Sequence, residues 1–401
     1  MRSSWPVART RVHPVRRGLP AAFVRCTDAH RGRAELIRAR PHLGDLDPYE
    51  PGTPVAQLIE ARGLTDAVNL ALNECPFAPS GPVVAAITHA ATGSNRYPED
   101  TAPRLRAAIA ARLGVTADQI VVGCGSVDVF QQLCLALLDP GDSVVCARNS
   151  FPEYWRTPNF LRATVHRVAM DSLTTDCAGL LAALDATTRL VVVANPNNPT
   201  GTVVDPGALK ALLEGVPEGV CVLVDEAYGE FCDPGRRAPT LEWLAEHRNL
   251  VVSRTFSKAL GIGGVRLGFV VADPAFLATL AKVHLPYSVS ALAQAAGLAA
   301  LTDEVLADVA RRTEIVREGR RRMTAALTAA GWVLSDSQAN FVFAPCDRAV
   351  EVGEWFLDRG VIVRAIPHNG VRVTVGTPGE VDRFLEVAAE WAAAHRASDY
   401  F

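Results

Sequence analysis

The sequence predicts an α/β fold, in which helices flank a mainly parallel sheet, followed by a smaller α+β domain. From about residue 83 to residue 285, short unbroken runs of Val and Leu alternate with helical patterns such as SVDVFQQLCLALL and DPGALKALLEGV. Such runs are typical of strands that are buried on both faces, and their alternation with helices indicates βα units. After about residue 286 a long polar helix and short strands replace this alternation, which indicates a second domain.

The elements follow in chain order. The predicted strands of the large domain are IVVG (120–123), SVVCA (143–147), TVHRV (164–168), LVVVAN (190–195), VCVLVDE (220–226) and LVVSRT (250–255). The predicted elements of the smaller domain are a helix over 303–330, short strands around WVLS, NFVFA, VIVRA and VRVTV, and a terminal helix from Pro378. We therefore predict a basic tail (1–40), an N-terminal arm with part of the small domain (41–82), a large domain (83–285) and a C-terminal small domain (286–401).

Composition argues against several classes of function. The 401 residues carry 40 basic and 43 acidic side chains, and this balance argues against a nucleic-acid or membrane-surface role. The sequence has no run of about 18 apolar residues, so we expect no membrane span. Nine scattered cysteines without a CxxC pair favour a reducing cytoplasm over a disulfide framework, and they predict no metal site.

The first forty residues differ from the rest, because they hold ten arginines and only two acids. No apolar segment follows the early arginines, as it would in a secretory signal. We predict a disordered basic tail, and the alternative is an arm that targets an organelle or binds a partner.

Polar segments follow four of the predicted strands. GCGSVD comes after IVVG, NPNNPTG after LVVVA, DEAY after VCVLV, and TFSK after LVVSR. In a doubly wound sheet ligands bind at the carboxyl ends of the strands. We therefore expect all four segments to face one cleft.

Lys258 is one of only three lysines in the chain, and it lies among small residues. A partly desolvated lysine has a pKa below its usual ~10.4, so it can form an imine with an aldehyde and transfer protons. Lys210 and Lys282 lie in helical patterns and are expected to be ordinary surface lysines.

The neighbours of Lys258 indicate which aldehyde it binds. The segment Gly123–Ser126 at a helix start, together with Arg266 and the hydroxyls of Thr255 and Ser257, can receive a phosphate dianion. Asp225 ends a buried strand and needs a cationic partner such as a protonated pyridine nitrogen. Tyr228 and Asn198 can hydrogen-bond a phenolate oxygen on the same ring. Together these features describe pyridoxal 5′-phosphate (PLP).

The segments ANPNNPTG, VDEAYGEF and TFSKALGIGGVRLG resemble the signatures of the fold-type-I, class I/II PLP-dependent aminotransferases. DPYEPG, NECPFAPS, NRYPED, GCGS and VRVTVGT are similar to the histidinol-phosphate aminotransferase branch, which includes actinobacterial aromatic-amino-acid aminotransferases. The resemblance covers about residues 45 to 395. It implies a seven-stranded, mainly parallel sheet, bound PLP, a cytoplasmic location and a homodimer with shared active sites.

The resemblance also implies a role for each matching position. Lys258 would carry the imine and act as the base of the proton shift, Asp225 would hold the pyridinium, and Asn198 and Tyr228 would bind the ring hydroxyl. The cofactor-binding loop would include Gly125 and Val127. The phosphate would be held by Ser126, Thr255, Ser257, Arg266 and, from the other subunit, Tyr97, while Phe151 would stack on the ring. The implied substrate-binding residues are Arg372 for the α-carboxylate, Asn340 nearby, and Tyr49 and Arg364, which bind the substrate phosphate in histidinol-phosphate enzymes.

The leading hypothesis is transamination between histidinol phosphate or an aromatic amino acid and a 2-oxo acid such as 2-oxoglutarate. A specialised biosynthetic amino acid remains open as donor, because the short AIPHNG segment brings His368 close to the pocket, although we expect His368 to face solvent. The alternative is a PLP-dependent decarboxylase, lyase or oxidase on the same fold. A ligand-sensing regulator is disfavoured, because forty Arg-rich residues are too few for a DNA-binding domain.

Overall fold

The computed structural model describes residues 39–46, 55–64 and 66–401. The chain divides into two units after Asp47, and the described part of the first unit contains a short 3-10 helix, Pro41–Asp45. Almost all of the predicted basic tail lies outside the described residues. All the helices and strands named below belong to the second unit, Pro48–Phe401.

The second unit contains eleven strands and thirteen α-helices among the described residues. The strands are β1 (Val68–Leu70), β2 (Ile120–Gly123), β3 (Ser143–Ala147), β4 (Thr164–Val168), β5 (Thr188–Ala194), β6 (Cys221–Asp225), β7 (Leu250–Thr255), β8 (Gly268–Val271), β9 (Phe341–Cys346), β10 (Val361–Ile366) and β11 (Asn369–Thr374). The helices are α1 (Val55–Arg62), α2 (Gly81–Ala91), α3 (Pro103–Leu113), α4 (Ser126–Leu137), α5 (Glu153–Phe160), α6 (Cys177–Ala182), α7 (Pro206–Gly215), α8 (Thr240–Trp243), α9 (Pro274–Leu280), α10 (Ala291–Ala300), α11 (Asp303–Ala329), α12 (Ala349–Leu357) and α13 (Pro378–Ala394).

The larger sheet has seven strands in the order β2-β8-β7-β6-β5-β3-β4. Strands β4, β3, β5, β6 and β7 pair in parallel, whereas β8 is antiparallel to both β7 and β2. The predicted fold class and strand count are therefore confirmed. Strand β8, with the sequence GFVV, was missed by the sequence prediction, because it begins at the end of the segment TFSKALGIGGVRLG, which was interpreted only as part of the site.

The central strands of the larger sheet are buried on both faces, which explains their apolar sequences. In β6, Val222 and Val224 face one hydrophobic core, while Leu223 faces another on the opposite side. The first core includes residues of α3, α7 and α10, and the second includes residues of α4 and α9. Alternate side chains of a strand point to opposite faces, so every position of such a strand has to be apolar.

The smaller sheet has the order β1-β10-β11-β9 and packs against α11, α12 and α13. Strand β1 comes from the N-terminal segment and pairs in parallel with β10. The strand predicted at WVLS (332–335) is wrong, because these residues form no strand. Trp332 instead packs its ring against Trp391 and Phe401 in the core of the smaller sheet. No described helix is long and apolar enough to span a membrane.

Candidate active site

The polar segments identified in the sequence meet at one edge of the larger sheet. Ala194 at the end of β5 lies opposite Asp225 at the end of β6, and Asp225 lies opposite Ser253 of β7. Gly268 of β8 lies opposite both Thr255 and Gly123, which end β7 and β2. This register brings together the ends of four strands, as the sequence predicted.

Asp225 accepts hydrogen bonds from two neutral donors. The Tyr154 hydroxyl donates to its Oδ2 at 2.7 Å, and the Ala227 backbone N–H donates to its Oδ1 at 3.0 Å. Burial raises the pKa of Asp225 to about 6, although both hydrogen bonds oppose this shift. Among the residues that the structure describes, no cationic side chain pairs with this carboxyl. Asp225 therefore fits a cation from outside the chain, such as the protonated ring nitrogen of PLP.

Lys258 follows β7, and its side chain is partly buried. Its Nζ donates to the backbone oxygens of Asn73, at 2.9 Å, and Leu72, at 3.4 Å, and lies 5.8 Å from the centroid of the Tyr228 ring. Burial lowers the pKa of Lys258 to about 8, and the positive charges of Arg372 and Arg266 act in the same direction. A substantial neutral fraction near physiological pH is what an amine needs to attack an aldehyde.

A cluster suited to a phosphate lies at the start of α4. Arg266 Nη1 donates to Ser257 Oγ at 3.3 Å, and Thr255 Oγ1 donates to the same oxygen at 3.0 Å. Gly125, with a φ of 89°, precedes Ser126, the first residue of the twelve-residue helix. A Cβ atom at Gly125 would lie 2.3 Å from Arg266 Nη2, so only glycine allows the guanidinium this close to the helix end.

Ser126 and Val127 open α4, so their backbone N–H groups belong to the helix end that has no intrahelical partners. Together with the Ser257 and Thr255 hydroxyls and Arg266, this end offers several donors and positive charge to a dianion. The donor set therefore fits the phosphate group of PLP.

Asn198 is oriented by Arg372. Arg372 Nη1 donates to Asn198 Oδ1 at 2.6 Å, and Nη2 donates to the Ala71 backbone oxygen at 2.7 Å. Because the amide oxygen of Asn198 accepts from Arg372, its amide N–H₂ group remains available as a donor to a phenolate oxygen. The predicted substrate carboxylate ligand and the predicted ring-hydroxyl ligand are thus in direct contact.

Three other predicted residues have contacts of different kinds. Asn340 is fully buried, and its Nδ2 donates to the backbone oxygens of Asn73, at 3.2 Å, and Glu74, at 3.4 Å. Phe151 packs edge-on against Tyr154, with ring centroids 5.7 Å apart. Tyr97 is 83% exposed and stacks on Tyr287 at 4.7 Å. Their assigned roles in binding substrate or cofactor stay predictions.

The remaining predicted substrate-binding residues are Arg364 and Tyr49. Arg364 on β10 lies directly opposite Arg372 on β11, so both side chains leave the same face of the smaller sheet. His368, in the turn between these strands, is exposed. Tyr49 lies outside the described residues.

Sequence reasoning missed two residues in direct contact with the site. Tyr154, three positions after Phe151, hydrogen-bonds Asp225, and Asn73 hydrogen-bonds Tyr228 and Lys258. The available signals were weak: Asn73 lay within the motif NECPFAPS, and Tyr154 is an isolated tyrosine in a predicted helical region.

Glu226, next to Asp225, forms a separate buried cluster. It is 1% exposed, and it accepts hydrogen bonds from Arg254 Nε at 3.0 Å, from Arg237 and from the Thr240 hydroxyl. Its backbone N–H donates to the Ser253 oxygen at 2.9 Å, which ties the end of β6 to β7. This cluster lies outside the set of residues predicted from the sequence.

Comparison with known proteins gives a consistent result. The sequence profile of the family described as aminotransferase class I and II matches residues 65–387. The chain is 41% identical over 360 residues to the aromatic amino acid aminotransferase of Mycolicibacterium smegmatis, which covers 89% of this chain and 96% of that protein. It is also 41% identical over 359 residues to the protein of the same name from Mycobacterium tuberculosis H37Rv, covering 88% of this chain and 98% of the relative.

Solved structures show the same similarity. The histidinol-phosphate aminotransferase of Sinorhizobium meliloti, in complex with pyridoxal-5′-phosphate, superimposes with a TM-score of 0.81 at 25% identity. The similarity covers 89% of this chain and 98% of that one. An aminotransferase from Mycobacterium tuberculosis gives a TM-score of 0.79 at 25% identity, covering 90% of this chain and 100% of that one.

Proposed function

Because this chain belongs to the class I and II aminotransferase family, we propose that it moves the amino group of an aromatic amino acid to a 2-oxo acid such as 2-oxoglutarate. The reaction type, PLP-dependent transamination, follows from the family and confirms the resemblance seen in the motifs. The choice of donor, the roles of individual residues and the assembly are the proposal. The aromatic donor is favoured by the extent of identity with the aromatic amino acid aminotransferases.

One observation supports the proposed site most directly. A lysine whose pKa is lowered to about 8 and an aspartate without a cationic partner among the described residues extend from adjacent strands of one sheet. Bound PLP supplies an aldehyde that bonds to an amine and a protonated ring that accepts an electron pair. Lys258 supplies the neutral amine and afterwards takes and returns the substrate proton at Nζ. Asp225 keeps the ring nitrogen protonated, because its carboxylate gains a cationic partner there.

The remaining residues bind and orient. Ser126, Thr255, Ser257 and Arg266 anchor the phosphate, with the backbone N–H groups of Gly125 and Val127 beside them, and Phe151 covers the ring. Asn198 and Tyr228 donate to the ring oxygen. Arg372 binds the substrate carboxylate, and its contact with Asn198 couples substrate binding to the orientation of that amide.

The position of Arg364 is the specific observation that favours the second candidate donor, histidinol phosphate. Two arginines placed directly opposite each other repel, and a substrate with a second anionic group would relieve this repulsion. The same pair suits the two carboxylates of 2-oxoglutarate. Asn340 and Tyr49 complete the proposed substrate site.

The proposed assembly is a homodimer with shared active sites. Tyr97, Tyr287 and Leu285 are exposed together, and an apolar surface of this kind is typical of an interface. In this arrangement Tyr97 reaches the phosphate in the other subunit. The free state of all eight described cysteines supports a cytoplasmic location. The proposed domains are a large domain over 83–285, an N-terminal arm with part of the small domain over 41–82, and a C-terminal small domain over 286–401. The two sheets have separate cores, but Val289, Ala293 and Ala300 pack in the core of the larger sheet, so α10 joins the large domain.

The test is a half-reaction with the PLP-loaded enzyme and no acceptor. Phenylalanine, tyrosine or histidinol phosphate should change the absorbance of the bound cofactor and release one equivalent of 2-oxo acid or, from histidinol phosphate, of ketone per site, and 2-oxoglutarate should restore the spectrum. Lys258→Ala and Lys258→Arg should both fail, because neither supplies a neutral amine, whereas the exposed Lys282→Ala should behave as wild type. Carbon dioxide, ammonia or peroxide formed without an acceptor would instead indicate the decarboxylase, lyase or oxidase alternative.

Arg364→Ala separates the two donors. Removal of a cation that contacts an anionic substrate group should raise KM about tenfold for histidinol phosphate and 2-oxoglutarate and leave KM for phenylalanine unchanged. A proportional rise for all three would show that Arg364 acts on the site as a whole.

A further inference from the structure

Asn73 connects three parts of the site that are distant in sequence. It lies in the segment after β1, is 1% exposed, and has a left-handed backbone conformation with a φ of 53°. Its Nδ2 donates to the Tyr228 hydroxyl at 3.0 Å, and its backbone oxygen accepts from Lys258 Nζ at 2.9 Å. Tyr228 is 155 residues away in the chain and Lys258 is 185 residues away.

Thr374, the last residue of β11, orients the side-chain amide of Asn73. The Thr374 hydroxyl accepts the backbone N–H of Asn73 at 2.9 Å and donates to Asn73 Oδ1 at 3.1 Å. Because Oδ1 accepts from Thr374, the N–H₂ group of the amide faces Tyr228. The two side chains are buried, so water does not compete for these bonds.

The orientation of the amide decides where the Tyr228 proton points. A phenol has one hydrogen to donate, and its oxygen also accepts. Since the Tyr228 oxygen accepts from Asn73, its hydrogen has to point to a different acceptor. With the proposed function in place, that acceptor is the ring oxygen of PLP.

We propose that Asn73, held by Thr374, is a positioning residue that keeps the Tyr228 proton directed at the ring oxygen of PLP and so sets the pH at which Lys258 Nζ loses its proton in the loaded enzyme. The inference rests on the proposed function, because it requires PLP bound at Lys258. When Nζ loses its proton, the negative charge of the ring oxygen loses a neighbouring positive charge. A hydrogen bond from Tyr228 then stabilises the deprotonated state and lowers the apparent pKa.

Other charges act on the same proton and have to be held constant. Arg372 from β11 and Arg266 from the segment before β8 lower the pKa of Lys258, whereas Glu74 opposes them. Asp225 on β6 acts on Tyr228, and burial is the main cause that raises the pKa of Tyr228. The test variants leave all of these groups in place.

The decisive variant is Asn73→Asp, which keeps the size of the side chain and tolerates the left-handed backbone but replaces the donor by an acceptor. Tyr228 should then donate to the introduced carboxylate instead of the cofactor. In a spectrophotometric pH titration of the loaded enzyme without substrate, the apparent pKa should rise by about one unit. A hydrogen bond to a charged group corresponds to about a tenfold change in equilibrium or more.

A double-mutant cycle separates positioning from the negative charge that Asn73→Asp adds. Tyr228→Phe alone should also give an upward shift, and Asn73→Asp combined with Tyr228→Phe should shift the pKa no further than Asn73→Asp alone. Shifts that add, or no shift in Asn73→Asp, would overturn the proposal. Asn73→Gly keeps the backbone conformation and leaves Tyr228 without a competing acceptor, so it should shift the pKa by much less than Asn73→Asp.

Thr374→Val provides a second route if Asn73→Asp does not fold. Loss of the hydroxyl releases the amide of Asn73, so the apparent pKa should rise by a few tenths of a unit. The dissociation constant of PLP should change by no more than about twofold. An unchanged titration in a folded Thr374→Val variant would contradict the proposal. If wild type itself shows no pH-dependent cofactor band, the proposed function has failed instead.

Discussion

Asp225 and Glu226 are consecutive acidic residues at the end of β6, and their surroundings differ. Glu226 faces Arg254, Arg237 and the Thr240 hydroxyl, so its charge is paired within the chain. Asp225 has two neutral donors, and burial raises its pKa to about 6. The sequence DE gives no indication of this difference.

The contrast supports the proposal that Glu226 is structural and that Asp225 binds a cationic ligand. A buried charge that is paired within the protein contributes to the stability of one conformation, whereas a buried charge without a partner is destabilising until a cation binds. Glu226 also joins the ends of β6 and β7, the two strands that carry Asp225 and precede Lys258. Glu226 therefore fixes the position of Asp225 relative to the strand that precedes Lys258.

The largest expected effect tests this division directly. Asp225→Asn should lower kcat about 10³-fold, because removal of one partner of a buried charge pair costs about 3–5 kcal/mol. The apoenzyme should unfold at the same temperature as wild type or higher, because an unpaired buried carboxylate has been removed. The measurements are steady-state kinetics and thermal unfolding of the apoenzyme.

Glu226→Gln is the matched change on the other carboxylate. It removes the carboxylate that contacts Arg254 and Arg237 and leaves them the charge of Glu230, so the free energy of unfolding should fall by about 3 kcal/mol while kcat of the folded fraction changes little. A loss of activity without loss of stability in this variant would erase the distinction between the two residues.

The second effect is a pH dependence of apoenzyme stability. The pKa of Asp225 is raised from 3.8 to about 6, so its contribution to stability is fully present below pH 4 and is lost as pH rises through 6. The loss corresponds to up to about 3 kcal/mol. Urea unfolding of the apoenzyme between pH 4 and pH 7 should show this loss relative to Asp225→Asn, and PLP should abolish it by supplying a cationic partner.

Comparison of wild type with Asp225→Asn at each pH removes the contributions of all other groups. Equal pH dependence in the two apoenzymes would show that the Asp225 carboxyl is already ionised and compensated in the absence of cofactor.

The smallest effect concerns the neutral donors of the two carboxylates. Tyr154→Phe removes the hydrogen bond to Asp225 Oδ2 and should weaken PLP binding and lower kcat by about tenfold each. Thr240→Val removes the hydrogen bond to Glu226 and should lower the free energy of unfolding by about 1–2 kcal/mol without changing PLP affinity. Fluorescence titration of apoenzyme with PLP, together with urea unfolding, measures both effects.

The proposed difference between the two donors would be contradicted if Tyr154→Phe destabilised the fold as much as Thr240→Val does and left PLP affinity unchanged. That result would place Tyr154 in the packing of α5 against the sheet and not in the support of Asp225.

Much of this fold could be predicted because the sequence patterns that indicate its strands are local. Runs such as LVVVA and VCVLV specify strands buried on both faces, and the segments that follow them carry Lys258, Asp225 and Asn198 in a chain order typical of the family. The limits appear where a strand adjoins a functional motif, as β8 does, or where local information is conflicting, as in WVLS, where the burial of Trp332 in an aromatic core replaces strand pairing.

By itself, the sequence predicted most of the strands and helices, the cleft at the strand ends and Lys258 as the candidate reactive amine. Only the tertiary structure decided which acid is left unpaired, that Tyr154 supports it, and that Asn73 reaches Thr374 across 301 residues. The physical reason is that hydrogen bonds and charge pairs depend on distances of about 3 Å between side chains, which are set by packing of elements far apart in the chain. A local sequence pattern indicates whether a residue is buried, whereas the fold determines which residues it contacts.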